Sequence, residues 1–250
     1  MRYALISDIH SNKFAFESVL DDIDRQNIDM ILCLGDIVGY GPNPTEVLDL
    51  VYEHVDATII GNHDAVICNK FSSAYFNNEA KSIIEWTKTK LRTKDVNFFD
   101  KLTYIIDAET FKCSHSNFTH PESFAYILSK VDARNHFSTI NDKIVFVGHT
   151  HYSGAFILNK NSTITHLNIE EDYDLRKINI ENSKRYIINV GSVGVSRTYD
   201  FAARYCIYDS DQKNVEIRAV EYDVKAFIKE LKATDNKEIR TYFMPYIMRF

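Results

Sequence analysis

Five short segments of this chain end in residue types that bind metals, and each follows an apolar run of strand character. They are Ser7-Asp8-Ile9-His10, Leu34-Gly35-Asp36, Gly61-Asn62-His63-Asp64, Ser114-His115-Ser116 and Gly148-His149-Thr150-His151. Setting His63 aside, the strand ends supply two carboxylates (Asp8, Asp36), one amide (Asn62) and four imidazoles (His10, His115, His149, His151). That set can hold two divalent cations side by side. Two such cations with an open face make a site for hydrolysing a phosphate ester. A lone Asp-x-His or Gly-Asp arises by chance in many chains. All five motifs, in this order and each after a strand, do not.

The order of elements explains how the five ends can meet. Residues 3–6, 30–34 and 57–60 read as short apolar strands, and 13–26 carries a helical stripe at Phe16, Val19, Leu20 and Ile23. Asn43 precedes Pro44 as a cap for a second helix through Val47, Leu48 and Val51. This β-α-β-α-β pattern implies a parallel sheet covered by helices, where ligands gather at the carboxyl ends of strands. Residues 111–114 and 143–148 read as strands leading to His115 and His149. The block 65–102 reads as mostly helical, adds no ligand candidate, and is placed to overhang the site. Later strands at 154–158, 163–168, 185–190, 205–209 and 215–220 suggest an antiparallel second sheet. A helix near 224–231 and an aromatic-rich segment close the chain. The expectation is one α/β domain over 1–250, with two sheets face to face and helices outside.

Bulk composition is ordinary for a globular chain with a sizeable core, at 45% hydrophobic and 26% charged residues. A net charge of −6 without a dense Lys/Arg cluster argues against a nucleic-acid partner. It does not argue against phosphate, because bound metals supply local positive charge. Cys33, Cys68, Cys113 and Cys206 are scattered and read as reduced thiols. Asp8 and His10 interrupt anything resembling a signal segment, and no apolar run approaches membrane-span length. A cytoplasmic protein without a membrane partner is the expectation.

The chemistry needs these residue types. Anionic oxygens of a phosphate ester repel a nucleophile, and two metals about 3.5–4 Å apart neutralise them and lower the pKa of a bridging water. Asp36, after a tight turn midway between the other motifs, is the candidate bridge. The mixed nitrogen and oxygen set suits Mn first, then Fe, Zn, Ni or Co, over Mg or Ca. His63, next to Asn62, can point at the substrate and give a proton to the leaving oxygen, with Asp64 holding its orientation. Asn12 either contacts substrate or caps the helix that starts near Lys13. Arg197, after the glycine-bearing turn 189–194, either grips a phosphate or pairs with a surface acid. His54, His136 and His166 read as structural. His120 competes with His115 for the fourth motif, and His115 is favoured because it directly ends a strand, whereas His120 lies beside Pro121 in a loop leading to a helix around 124–128.

These residues resemble the calcineurin-like metallophosphoesterase superfamily over nearly the whole chain. The motifs are Asp8-x-His10, Gly35-Asp36, Gly61-Asn62-His63-Asp64 and Gly148-His149-x-His151. The stretches 35–44 and 189–194 look like its small bacterial and archaeal phosphoesterases. The resemblance implies a four-layer α/β/β/α sandwich of two facing mixed sheets. It implies one metal on Asp8, His10, Asp36 and His151, a second on Asp36, Asn62, His115 and His149, and His63 as general acid. Gly39-Tyr40-Gly41 stands where the protein Ser/Thr phosphatases carry an arginine, which argues against that branch. Ser116 and Val190 replace a glycine and a proline usual in the family, and neither change removes a ligand. The implied activity is hydrolysis of small phosphomonoesters, phosphodiesters or nucleotides. The alternatives are diadenosine polyphosphate hydrolysis and a non-catalytic protein-interaction scaffold of the same fold. Scaffolds lose His63 or ligands, and here the set is complete.

Overall fold

The computed structural model describes residues 1–169, 176–198 and 200–249. The chain opens with β1 (Arg2–Ile6), α1 (Lys13–Asp24), β2 (Met30–Cys33), α2 (Pro44–His54) and β3 (Ala57–Thr58). A helical stretch follows: α3 (Asn62–Ile67), α4 (Asn78–Lys90) and α5 (Thr93–Lys101). Next come β4 (Ile105–Asp107), β5 (Lys112–Ser114), α6 (Lys130–Thr139) and β6 (Ile144–Val147). Then β7 (Ser153–Leu158), β8 (Ile164–Asn168), β9 (Lys177–Asn179), β10 (Arg185–Val190), β11 (Ala203–Asp209) and β12 (Asn214–Val220). Helices α7 (Val224–Ala233), α8 (Lys237–Tyr242) and α9 (Met244–Arg249) end the described chain.

Among the described residues the strands form two six-stranded mixed sheets, ordered β3-β2-β1-β11-β12-β9 and β4-β5-β6-β10-β7-β8. In the first, β1, β2 and β3 run parallel, with Ala4 opposite Ile31, while β11 lies antiparallel on β1, with Leu5 opposite Cys206. In the second, β5, β6 and β10 run parallel. The period of two along each strand sorts the side chains. Leu5, Leu32, Cys206 and Tyr208 from the first sheet meet Cys113, Phe146, Tyr186 and Ile188 from the second in a core between the sheets. Ala4, Ile6, Tyr205 and Ile207 face outward onto the α1 stripe Phe16, Val19, Leu20 and Ile23 and onto Val47, Leu48 and Val51 of α2. On the far side, α6 lays Ala133 and Phe137 against Val145, Phe156 and Ile187. The layers are therefore α/β/β/α.

The first half follows the sequence reading within a residue or two. The later strands differ from it. They do not form one antiparallel sheet: β11 and β12 join the first sheet, while β7, β8 and β10 join β5 and β6. Strand periodicity marks a buried face but not which sheet a strand joins. The three-residue strands β4 and β9 are too short to show a period. The helix expected near 124–128 is irregular chain. Phe124 turns into the left-handed region (φ 51°), and α6 starts only at the capping box of Ser129 and Asp132. Asn43 does precede α2, but its side chain bonds the Glu230 carboxylate instead of capping.

Two loops seal the sheets together at one end. Val193 N–H donates to Ser7 O at 3.0 Å and Gly194 N–H to Asp8 O at 2.9 Å. A Cβ on Gly194 would lie 1.8 Å from the Ile9 carbonyl oxygen, which backbone on both sides pins. Gly194→Ala is therefore expected to cost about 1–3 kcal/mol, as overpacking does. For a chain of this size that lowers Tm by roughly several degrees. A thermal melt checks it, and an unchanged Tm would mean that the two loops do not touch.

Candidate metal centre

The parallel strands of both sheets end on the same side. Asp8 and His10 follow β1, Asp36 follows β2, His115 follows β5, and His149 and His151 follow β6, while Asn62 opens α3 after β3. All seven side chains are buried. Five lie at left-handed backbone positions: Asp8 (φ 54°), His10 (47°), Asp36 (55°), His149 (68°) and His151 (65°). Asp and His tolerate that region better than most residues, and such outliers persist only where their surroundings over-determine them. The effect is to break the pleat at each strand end and turn side chains of neighbouring ends toward one point.

There the donor atoms converge. Among the described residues three groupings hold ligand atoms within 4.8 Å of one another: Asp8, His10 and His151; His10, Asp36 and His63; Asp36, His115 and His149. Asp36 Oδ2 lies 3.6 Å from His10 Nε2 and 3.3 Å from His115 Nε2. Asp8 Oδ1 lies 3.3 Å from His151 Nε2. Asn62 Oδ1 is 3.2 Å and His149 Nδ1 is 3.1 Å from His115 Nε2.

The reverse sides of three imidazoles show that this set fits cations. His10 Nδ1 meets the Val38 carbonyl at 3.1 Å, His115 Nδ1 the Leu34 carbonyl at 2.7 Å, and His151 Nδ1 the Val195 carbonyl at 2.7 Å. A carbonyl only accepts, so each Nδ1 carries a proton, and each ring in its neutral form turns the Nε2 lone pair inward. Asp8 Oδ1 is buried without a hydrogen-bond partner among the described residues. Imidazole nitrogens and carboxylate oxygens facing one another, backed by carbonyls, suit divalent transition ions.

Electrostatics agree. Burial opposes charge on Asp36, but His115 and His63 outweigh it and hold its carboxyl well below the usual range. His151 does the same for Asp8. Burial also opposes charge on His115, yet Asp36 lifts its pKa to about 9. Burial, then charged His115, pushes His149 down to about 3, and burial pushes His63 to about 4.

Other residues named from sequence fall in different places. The turn after β5 is closed by Ser114 donating to Asn117 O, and Asn117 Oδ1 accepts from His120 N–H. That points His120 away, with its side chain 75% exposed beside Glu122. His63 stands with the cluster, its ring 4.8 Å from that of His10. Asp64 does not orient it, in contrast to the expectation. Its carboxylate accepts backbone N–H groups of Asp36, Ile37, Val38 and Gly61, so it fixes the loop that carries Asp36. Burial, then Asp36, raises its pKa to about 7 against those donors. His63 Nδ1 has no partner among the described residues. Asn12 is spent on structure: Oδ1 caps α1 through Ala15 N–H at 3.2 Å and Nδ2 donates to Gly194 O at 2.9 Å. Arg197 reaches the mouth, a cavity of about 260 Å³ that it lines with Asp36, His63, His149 and His151.

An aromatic frame around that mouth was missed. Tyr40 packs 4.6 Å from the rings of His10 and of His63, and Tyr242 of α8 stacks on Tyr40 at 4.1 Å. Tyr126 stacks on His149 at 4.0 Å. The only sequence signal was Tyr40, a large ring set between two glycines on a ligand loop. Tyr126 sat in a stretch read as helix.

Residues 1–228 match the model of the calcineurin-like phosphoesterases, and the chain belongs to that family. An uncharacterized protein of Methanocaldococcus jannaschii is 40% identical over 229 residues, covering 89% of this chain and 88% of that protein. A metallophosphoesterase from Sphaerobacter thermophilus shares the fold at TM-score 0.79 and 30% identity, over 96% of this chain and 97% of that one. A hypothetical protein from Pyrococcus horikoshii does so at TM-score 0.75 and 17% identity, over 96% of each chain. Among the described residues no helix is long and apolar enough to cross a membrane.

A ligand imidazole must be neutral, whereas His115 keeps its proton up to about pH 9 in the metal-free chain. Metal binding at pH 7 should therefore release about one proton from His115, and the release should vanish above pH 9. Titration calorimetry in buffers of different ionisation enthalpy reads this directly, and heats independent of buffer at pH 7 would contradict it. His115→Ala should lose bound metal and His120→Ala should not, as elemental analysis of the purified variants would show.

Proposed function

We propose that this chain hydrolyses phosphate esters with two divalent transition-metal ions. The observation that carries the reading is Asp36, whose carboxylate lies between His10 of one grouping and His115 of the other. Asp8, His10, Asp36 and His151 would hold one ion, and Asp36, Asn62, His115 and His149 the second. When bound, the pair supplies charge neutralisation for the phosphoryl oxygens and an acidified water. Mn is the first choice among the metals because imidazoles hold Mg poorly.

The chain's own residues do the rest. Arg197 places a cation at the mouth for a phosphoryl oxygen. His63 borders the same cavity and gives its proton to the leaving oxygen. Burial leaves that imidazole neutral at pH 7, so its proton is taken up as the anionic ester arrives, because adjacent negative charge raises the pKa. The block 65–102 shapes one wall through Phe76, Asn77 and Ala80. Substrates are small phosphomonoesters, phosphodiesters or nucleotides. A scaffold role would leave no reason to keep His63 and every candidate ligand turned inward.

Activity on a generic aryl phosphate should vanish with chelator and return best with Mn²⁺; full activity in chelator would end the two-metal reading. Asp36→Asn should weaken both ions. His63→Ala should keep both yet slow esters with poor leaving groups by roughly 10²–10⁴-fold, the scale of general acid catalysis. An activated aryl ester needs little protonation and should suffer less. Equal loss on both esters would remove His63 from that role.

A further inference from the structure

Asp64 bonds backbone groups, so something else sets the direction of the His63 ring. The His63 backbone is fixed, because its N–H donates to Asp36 Oδ1 at 2.8 Å. That bond leaves the side-chain torsions open. Nδ1 is buried with no hydrogen-bond partner among the described residues, so no acceptor steers the imidazole from that side. Its neighbours are aromatic. Tyr40 lies 4.6 Å from the His63 ring at 51°, and Phe76 lies 4.7 Å from it at 40°. At such separations aromatic rings attract one another. Tyr40 comes this close because glycines flank it. A Cβ on Gly39 would strike His63 Nδ1, and one on Gly41 would strike the His10 carbonyl oxygen. Tyr40 itself sits in the left-handed region at φ 56°, a conformation that lasts only where neighbours over-determine it. One such neighbour is Tyr242 of α8, whose ring lies on that of Tyr40 at 4.1 Å and 11°. Ile239 and Phe243 seat α8 in the cluster that includes Ile83 and Val195.

We propose that Tyr40, backed by Tyr242, is a positioning residue whose ring aims His63 at the substrate. The proposal rests on the reading of His63 as proton donor in ester hydrolysis. Packing does here what a carboxylate on Nδ1 would otherwise do. Without the Tyr40 ring the imidazole has room for other rotamers. A proton donor displaced by about 1 Å can lose 10²-fold in rate. The ring carries this role and the hydroxyl does not, so phenylalanine serves at position 40. Tyr242 acts one step further out, by holding Tyr40 in its left-handed turn.

The test compares the full chain with Tyr40→Ala, Tyr40→Phe and Tyr242→Ala. With Mn²⁺ present, kcat and KM are measured for phenyl phosphate, which has a poor leaving group, and for 2,4-dinitrophenyl phosphate, which has an activated one. Tyr40→Ala should lower kcat on phenyl phosphate by up to about 10²-fold and leave the activated ester nearly unchanged. Tyr242→Ala should act in the same direction and less, and Tyr40→Phe should restore the rate. In a His63→Ala background, Tyr40→Ala should cause no further loss on phenyl phosphate. Another readout needs no turnover. In the metal-free chain, nuclear Overhauser effects between the His63 and Phe76 rings should weaken in Tyr40→Ala and persist in Tyr40→Phe. Equal loss on both esters would overturn the proposal, as would a loss that persists without His63, or unchanged Overhauser effects. An equal loss in Tyr40→Phe would move the role to the hydroxyl and overturn it too. Tyr40 also lies 4.6 Å from the ring of His10, so loss of bound metal on elemental analysis would assign it to that ligand instead. Should Tyr40→Ala fail to fold, the half-buried Tyr242 decides by the same readouts. Overhauser effects that respond as expected, in a chain that hydrolyses no ester, would uphold the positioning and sink the phosphoesterase reading.

Discussion

The site depends on a carboxylate that could not stand alone where it is. Asp36 is buried, and among the described residues its carboxylate accepts one close hydrogen bond, from His63 N–H to Oδ1 at 2.8 Å. Removing a charge from water costs several kcal/mol even after relaxation. A protonated His115 at 3.3 Å returns about 5 kcal/mol at an effective dielectric near 20. The two magnitudes are close, so the metal-free chain is balanced only while His115 keeps its proton. Divalent ions replace one proton with several charges and relieve the same imbalance more fully. The cluster thus favours cations for the same reason that it destabilises the empty fold.

Such convergence needs a backbone willing to be bent. Left-handed non-glycine residues cost about 1–3 kcal/mol each, and five of the candidate ligands are of that kind. The surroundings hold them there. Asp64 ties the Asp36 loop through backbone donors, and Asp8 Oδ2 accepts His149 N–H at 2.9 Å, linking the two sheets directly. Gly61 completes the packing: a Cβ there would lie 2.2 Å from Asp36 N and Oδ1. Close backbone approach, not turn flexibility, explains that glycine.

This division explains what could be read in advance. Metal-binding residue types at strand ends were legible because strand pattern and metal chemistry are both local, and its place directly after β5 set His115 apart from the exposed His120. Sheet membership was not legible: β10 and β11 are both largely buried strands, and only long-range pairing, of β10 with β6 and of β11 with β1, sends them to different sheets. The task given to Asp64 was misread because its partners are backbone groups, which carry no sequence signal. Asn12 had two readings, and only the position of Gly194 decided for structure. The aromatic frame comes from Tyr40, Tyr126 and Tyr242, too far apart in sequence for any motif to join them.

That frame also separates what is common to the family from what is particular here. The family match ends at residue 228, and Tyr242 lies beyond it. The last helices nonetheless reach the site. Phe227, Leu231, Ile239 and Phe243 pack into one cluster with Ile83 of α4 and Val195, which seats α8 over the mouth and brings Tyr242 onto Tyr40. Arg197, whose guanidinium is always charged, lies beside the Tyr242 phenol, which comes from outside the matched span. The candidate metal cluster therefore belongs to strand ends within the matched span, whereas part of the frame of its entrance belongs to a segment packed on afterwards.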